Sequence, residues 1–317
     1  MESLNRLQCD FLYTLQVFRE SEPSWINQVL VFLSEGGILL LPLLCAVIFW
    51  SIDKKKGLYI MHAFSFAFLL NGILKLAFCV YRPWVLDPRL VVAEAAVEEA
   101  TGYSFPSAHS TMAAAILGGI AVAWPKKRSL TVIAIAVTAA IMFARMYLGC
   151  HTPVDVLVGA GLGVLFILLF RPMLTKDISD ISGDWKWVVL LLACCTATVL
   201  FVQLKSYPMD YVNGELLVDP ELMKQDTFAA VGIMSGMTAG IFLERKYVRF
   251  EMPSGVGTAI LRGLIGSVCF ALLYAVIVKK LVAGLNPNIG KTIRYFVAII
   301  FTTAVYPWII KLCKGKL

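Results

Sequence analysis

Seven side chains stand out as able to do chemistry in an otherwise apolar chain: Lys75, Arg82, Ser107, His109, Arg145, His151 and Asp155. They lie in three short stretches, KLAFCVYRP (75–83), GYSFPSAHST (102–111) and ARMYLGCHTPVD (144–155). Lys75 and Arg82 are seven residues apart, a step that returns to nearly the same helical face. At about 1.5 Å per residue it separates them by roughly 10 Å, so both cations can point at one spot. Pro83 ends that helix, because the residue before a proline is pushed out of helical geometry. Arg82 can snorkel toward headgroups, but Lys75 lies deep enough to strain that alternative. Ionisable groups inside apolar spans are costly and each asks for a purpose.

Pro106 and Ser107 are helix-start residues, so the helix they open presents unpaired backbone N–H groups, a ready site for an anion. His109 stands within its first turn. In the third stretch Arg145 nears the end of a span and His151 occupies a tight turn. Thr152 and Pro153 read as an N-cap and first helical residue. Asp155 then falls in the first turn, where a carboxylate complements the helix dipole. The same carboxylate can accept a hydrogen bond from the His151 ring and fix its tautomer. The two roles coexist.

Three cations, two histidines, a carboxylate and a helix N-terminus are the parts of phosphoryl chemistry. Cations and N–H groups hold the oxygens, one histidine attacks and another protonates the leaving group. No carboxylate cluster suited to magnesium or zinc accompanies them, so a mechanism without metal or cofactor is expected. Of the three histidines, His62 is mid-span without an obvious partner and reads as structural.

The elements that must position these groups are membrane spans. The 317 residues are 59% hydrophobic and only 15% charged, with a mean hydropathy of +0.78. Soluble domains carry about 45–50% apolar and about 25% charged residues. A span needs about 20 apolar residues, and the pattern predicts nine: 29–51, 57–80, 108–124, 129–149, 153–170, 186–205, 226–243, 258–279 and 291–311. Eight cysteines lie mostly inside apolar runs without a C-x-x-C pair, which supports neither a disulfide framework nor a zinc site. The net charge of +7 is distributed as an orientation signal rather than a nucleic-acid surface. Basic residues concentrate in DKKKG (53–57), PKKRS (125–129), RPMLTKD (171–177), ERKYVRF (244–250) and the tail 311–317, and such loops face the cytoplasm. Segments 81–107, 150–152, 206–225 and 280–290 then lie outside, although Lys279, Lys280, Lys291 and Arg294 weaken the bias near the last.

No basic stretch precedes a short apolar core, so no cleavable signal peptide is expected. Instead Leu4, Leu7, Phe11, Leu12, Leu15 and Phe18 form one apolar helical face, giving a surface-lying amphipathic helix over 1–28. Residues 89–102 are expected to form a short outer helix with Glu94, Glu98 and Glu99 on a solvated face. Gly232, Gly236 and Gly240 read as a helix-packing stripe.

Lys75-x6-Arg82-Pro83, Pro106-Ser107-Ala108-His109 and Arg145-x5-His151-x3-Asp155 together resemble the three signatures of the type-2 phosphatidic acid phosphatase superfamily, in its membrane-embedded lipid phosphatase branch. The resemblance covers 29–205. It implies an all-α polytopic protein with a six-helix phosphatase core over 29–205; the outer loop and three further spans over 206–317, read from the apolar pattern, fall outside it. It further implies that His151 is the nucleophile forming a phosphohistidine, that Asp155 orients it and that His109 protonates the leaving oxygen. Lys75, Arg82, Arg145, Ser107 and the backbone N–H of Ala108 would bind the phosphoryl oxygens. Two positions depart from the pattern: alanine replaces the usual glycine at Ala108 and the usual serine at Ala144. Neither change removes a charge or a histidine.

The expectation is a metal-independent phosphatase acting on a lipid phosphate or diphosphate at the outer face of a membrane, with the bilayer and the lipid as partners. Short loops fit a bacterial cytoplasmic membrane. A phosphotransferase, a sugar-phosphate phosphatase and a non-enzymatic phosphate or phospholipid carrier use overlapping parts; a carrier has no need of a histidine–aspartate pair plus a second histidine.

Overall fold

A chain in hydrocarbon must satisfy its own backbone groups, and a helix does so within one segment. The computed structural model describes residues 2–97, 100, 102–175, 184–212 and 214–313, and these are helical almost throughout. α1 covers Glu2–Ser21 and α2 Ser24–Val31; a wider π-helical turn, Phe32–Gly36, leads into α3, Gly37–Val47. α4 is Lys54–Phe78, α5 the single turn Pro83–Leu86, α6 Ala108–Ala123, α7 Arg128–Tyr147, α8 Pro153–Phe170 and α9 Asp184–Leu204. A small antiparallel hairpin pairs β1, Tyr211–Val212, with β2, Glu215–Leu216. α10 (Pro220–Leu243), α11 (Val256–Leu272), the short α12 (Lys279–Leu281), α13 (Pro287–Ile300) and α14 (Tyr306–Leu312) follow.

Among the described residues seven helical stretches are long and apolar enough to cross a membrane: Lys54–Leu86, Arg128–Tyr147, Pro153–Leu174, Trp185–Leu204, Pro220–Val248, Val256–Val276 and Pro287–Leu312. Two of the nine expected spans take another form. Span 29–51 is a pair, Trp25–Gly36 and Leu40–Ile52, bent by 54°. Gly36, Gly37 and the π-helical turn lie at the bend, and both features bend helices. Span 108–124 is the 16-residue α6, about 24 Å long and so short of the ~30 Å hydrocarbon layer. It is confined between Pro106 and Ser107 on one side and Pro125 on the other.

The chain packs as two compact units. One comprises Met1–Leu41, Leu70–Leu168 and Ser206–Met223. Within it α6 and α8 meet almost backbone to backbone, because a Cβ on Gly159 would sit 2.4 Å from the Ser107 carbonyl oxygen and one on Gly163 2.6 Å from the Ala115 nitrogen. The Thr111 hydroxyl bonds the Gly159 carbonyl at 2.9 Å and receives a hydrogen bond from Asn71 at 2.9 Å. α1 lies over the loops of this unit: Cys9 and Leu12 bury against Leu90. Gln16 accepts from the Val91 N–H at 2.8 Å and Arg19 donates to the Val91 carbonyl at 2.7 Å. Leu4, Leu7, Phe11 and Phe18 remain exposed.

Among the described residues of 89–102 the expected helix is present as one 3-10 turn, Glu94–Ala96. The Ala93 N–H donates to the Leu148 carbonyl at 3.0 Å, and Ala96 and Ala100 bury against Tyr147 and Leu148. These tethers hold the segment down at Ala93, Ala96 and Ala100. Glu94 is exposed, whereas 98, 99 and 101 lie outside the described residues.

The other unit comprises Pro42–Leu69, Leu169–Lys205 and Lys224–Leu317. Trp50 is fully buried in it, donating to the Thr302 carbonyl at 2.7 Å and packing edge-on against Tyr306. Lys54 and the buried Glu244 form an ion pair of 2.5 Å. The glycine stripe packs helices: a Cβ on Gly232 would meet the Thr292 carbonyl oxygen at 2.4 Å, and one on Gly236 the Phe296 oxygen at 2.8 Å. His62 donates from Nδ1 to the Leu58 carbonyl at 2.7 Å and rests against Phe170, the place of a structural histidine.

Candidate active site

All eight residues named from the sequence fall in the first unit. Near the end of α4, Lys75 is buried and donates from Nζ to the Tyr103 carbonyl at 2.8 Å. α4 ends at Phe78, and Cys79 after it takes a φ of +50°. Arg82 therefore lies beyond the helix rather than on one helical face with Lys75, and it is buried too. Its Nε donates to the Gly102 carbonyl at 3.0 Å and its Nη1 to the Cys150 carbonyl at 2.9 Å, which fixes the plane of the guanidinium. The same Nη1 lies 3.1 Å from Nε2 of His151.

His151 sits on the turn between α7 and α8. Gly149 takes a φ of +78° there, a conformation that L side chains rarely adopt. The Cys150 and His151 N–H groups both donate to the Arg145 carbonyl, at 3.0 and 3.3 Å, so the end of α7 clamps the turn. Thr152 then caps α8: its hydroxyl accepts from the Asp155 N–H at 3.3 Å, and Asp155 Oδ2 accepts from the Thr152 N–H at 2.7 Å. This reciprocal capping box accounts for one expected feature that differs. Asp155 Oδ2 is 3.6 Å from His151 Nδ1, longer than a hydrogen bond. The oxygen is drawn instead to the Thr152 N–H and the Ser104 hydroxyl. Burial, then the charges of Arg82, Arg145 and Lys75, push the His151 imidazole well below its ordinary pKa, so the ring is neutral near pH 7.

Ser107 is the N-cap of α6, its hydroxyl accepting from the Ser110 N–H at 3.4 Å while its own N–H donates to the Asp155 carbonyl at 3.0 Å. That bond ties the start of α6 to the start of α8. Ala108 is the first residue of α6 and His109 the second. His109 is partly exposed, and the cations whose charge reaches it are Arg145, Arg82 and Lys75. Two helix starts, a helix end and the residues beyond α4 thus deliver their polar groups to one place.

Arg145 brings partners that the motifs do not contain. It is fully buried, and its Nη1 donates to the Ser34 hydroxyl at 2.7 Å and to Glu35 Oε1 at 2.5 Å. Ala144 is buried as well, and the hydroxyl that reaches Arg145 is that of Ser34. The signal for Glu35 was a carboxylate inside the apolar run 29–51, which the cost of intramembrane charge marks as purposeful. Ser104 carried no comparable signal. α1 also touches the site's frame: Gln8 Oε1 accepts from the Val154 N–H at 3.0 Å, and Arg19 donates to the Tyr147 carbonyl at 3.0 Å.

Comparison with known proteins gives the arrangement a lineage. Residues 56–179 match the family model of the PAP2 superfamily, and 228–315 match that of the PAP2 superfamily phosphatase, transmembrane extension. The chain is 30% identical over 160 residues to a phosphatidylglycerophosphatase B of Bacillus subtilis, covering 46% of this chain and 74% of that one. It is 24% identical over 141 residues to an undecaprenyl-diphosphatase of Sulfolobus acidocaldarius, covering 44% and 66%. To a dihydrosphingosine 1-phosphate phosphatase of Saccharomyces cerevisiae it is 24% identical over 199 residues, covering 59% of this chain and 45% of that protein. The matches therefore span about half to two thirds of the length of these last two relatives. No solved structure matches. The first family match takes in Lys75, Arg82, Ser107, His109, Arg145, His151 and Asp155, the second the last three spans. With a 30%-identical relative covered over most of its length, this integral membrane chain belongs to the PAP2 superfamily.

Proposed function

We propose that the chain is a metal-independent phosphatase that removes a phosphoryl group from a lipid phosphate or diphosphate through a phosphohistidine on His151. The observation that carries the reading is the 3.1 Å approach of Arg82 Nη1 to His151 Nε2, in a site that also gathers Lys75, Arg145 and His109. A guanidinium only donates, so Nε2 carries the lone pair and Nδ1 the proton. Nε2 is then the attacking atom.

In this mechanism the phosphoryl oxygens bind Lys75, Arg82, Arg145, the Ser107 hydroxyl and the Ala108 N–H at the start of α6, where the helix dipole favours negative charge. Nε2 forms a bond to phosphorus as the ester P–O bond breaks, and His109 gives its proton to the leaving lipid oxygen. Asp155, on the Nδ1 side, stabilises the positive charge the ring acquires. His109 then takes a proton from water, which attacks phosphorus; the P–N bond breaks, phosphate leaves and His151 is neutral again. Each step balances without a metal.

The three relatives are named for lipid phosphates of different headgroup and tail, which supports a lipid substrate for this chain. The distribution of basic loops supports an outer-facing site in a cytoplasmic membrane, with 29–205 as the catalytic core and 206–317 as an extension. The test is phosphate release by the purified full chain in detergent, from a panel of lipid phosphates and diphosphates with EDTA present. Turnover of at least one substrate, abolished by His151→Ala, is the expected result. Inactivity on the whole panel, full activity in His151→Ala, or loss of wild-type activity in EDTA alone would each overturn the mechanism.

A further inference from the structure

We infer that Glu35 is a displaceable counter-ion of Arg145, competing with the phosphoryl group for that guanidinium and so setting how tightly the site holds phosphate. The inference rests on the phosphatase reading above. Its motive is an anomaly: a site built to hold an anion contains a carboxylate in direct contact with one of its cations.

Three polar groups form a closed triangle. Arg145 Nη1 donates to Glu35 Oε1 at 2.5 Å and to Ser34 Oγ at 2.7 Å, and the Ser34 hydroxyl donates to Glu35 Oε1 at 2.7 Å. Ser34 is fully buried and anchors the corner. The side chain of Arg145 is 1% exposed but that of Glu35 is 18% exposed. The cation is therefore fixed in the interior while the carboxylate sits at the accessible edge, the member of the pair that can be exchanged. Among the described residues Arg145 Nε is buried and has no hydrogen-bond partner, so the guanidinium keeps donor capacity for a second oxygen ligand.

Location fits the role. Glu35 is on the π-helical turn Phe32–Gly36, immediately before two glycines. π-helical turns widen a helix and recur at functional sites. The Arg145 backbone oxygen clamps the His151 turn, so the same residue holds the nucleophile by its main chain and Glu35 by its side chain. A phosphoryl group arriving at His151 would meet Arg145 already neutralised. It must take the guanidinium from Glu35, and when product forms Glu35 can take it back. The carboxylate would thus weaken product retention as well as substrate binding.

A strut role for Glu35, holding Arg145 in position for phosphate, predicts the opposite sign, and this makes the question decidable. The experiment measures turnover of the best lipid phosphate by the full chain in detergent, with inhibition by inorganic phosphate and by orthovanadate. Glu35→Gln keeps shape and removes charge. Its inhibition constants for both anions should fall by about two- to fivefold, the net scale of one partly exposed ion pair, with KM falling in parallel and kcat falling as phosphate leaves more slowly. Ser34→Ala, which frees the carboxylate from its anchor, should shift the same constants in the same direction by less, and serves if Glu35→Gln does not fold. Unchanged or raised inhibition constants in an active variant overturn the inference and leave the phosphatase reading intact. Absence of phosphate release by the wild type overturns the phosphatase reading itself.

Discussion

Nη1 of Arg82 lies 3.1 Å from Nε2 of His151 and 2.9 Å from the carbonyl oxygen of Cys150, the residue just before that histidine. One guanidinium nitrogen therefore holds both the ring and the backbone of the proposed nucleophile, while its Nε is held by Gly102. The arginine orients the imidazole and, by donating only, selects the tautomer with a lone pair on Nε2. To let Nε2 reach phosphorus, Nη1 must pass from the ring to a phosphoryl oxygen.

Arg82→Lys should consequently behave as a severe substitution despite keeping the charge. A single ammonium on a flexible stem does not reproduce a planar fork fixed to the Gly102 and Cys150 carbonyls. The expected loss in kcat/KM is on the order of 10²–10³, the range seen when one preorganised donor is removed from a reacting centre. Steady-state kinetics on a lipid phosphate measures it; a loss under threefold would show that charge alone is required.

Asp155 connects three things: the Thr152 N–H, the Ser104 hydroxyl and the Nδ1 side of His151. Asp155→Asn removes the charge facing the ring and should lower kcat by about 10³–10⁴, as loss of the orienting carboxylate does in comparable histidine pairs. Ser104→Ala removes one competitor for Oδ2 and leaves the capping box in place. Its kcat should change less than tenfold, with stability lower by about 1.5–3 kcal/mol for the lost hydrogen bond to a carboxylate. Kinetics and thermal unfolding of the two variants separate these effects. Equal losses of activity would mean that Ser104 itself touches substrate.

Much of this site was legible because its residues are chemically expensive where they sit. Lys75, Arg82 and Arg145 are cations in an apolar chain, and Pro106–Ser107 and Thr152–Pro153 announce helix starts through local capping chemistry, which the structure places at Ala108 and Pro153. The helical fold followed from the length of the apolar runs. What stayed hidden was long-range. Glu35 meets a residue 110 positions away, and Gln8 meets one 146 positions away; periodicity within a helix carries no record of such partners. The tethering of 89–102 was equally invisible, because it depends on the Leu148 carbonyl waiting opposite Ala93. The bend in 29–51 had a local mark in Ser34-Glu35-Gly36-Gly37, but the hydropathy of the run as a whole fits a straight span as well as a broken one.

α1 supplies a further prediction. Gln8 occupies an N-terminal N–H of α8, one residue before Asp155, and Arg19 bonds the last carbonyl of α7. These contacts grip both sides of the turn that carries His151, without entering the site. Gln8→Ala should lower stability by about 1 kcal/mol, the usual scale of a lost cap or neutral hydrogen bond, and Arg19→Ala by about 1.5–3 kcal/mol, the scale for a charged donor. Together they should reduce kcat several-fold while the inhibition constant for inorganic phosphate stays within about twofold, since no phosphate contact is removed and additivity holds for separate sites. A large rise in that constant would instead make α1 part of the phosphate site.

The last prediction concerns acid stability without substrate. Burial and the facing cations Arg82, Arg145 and Lys75 hold the folded-state pKa of His151 well below its ordinary value, which in an unfolded chain is about 6.5. Between the folded and unfolded values the unfolded chain binds a proton that the folded chain does not, so stability must rise with pH across that interval. The contribution is complete above about pH 6.5 and is lost as pH falls toward the folded value. His151→Gln has no proton to gain and should lose less stability than wild type when a phosphate-free sample is taken from about pH 7.5 to about pH 5.5, a range that brackets the unfolded histidine. Thermal unfolding in detergent at matched ionic strength measures the difference. Parallel decline of the two proteins would mean that burial and the cations around His151 do not impose the neutral ring that the proposed nucleophilic attack requires.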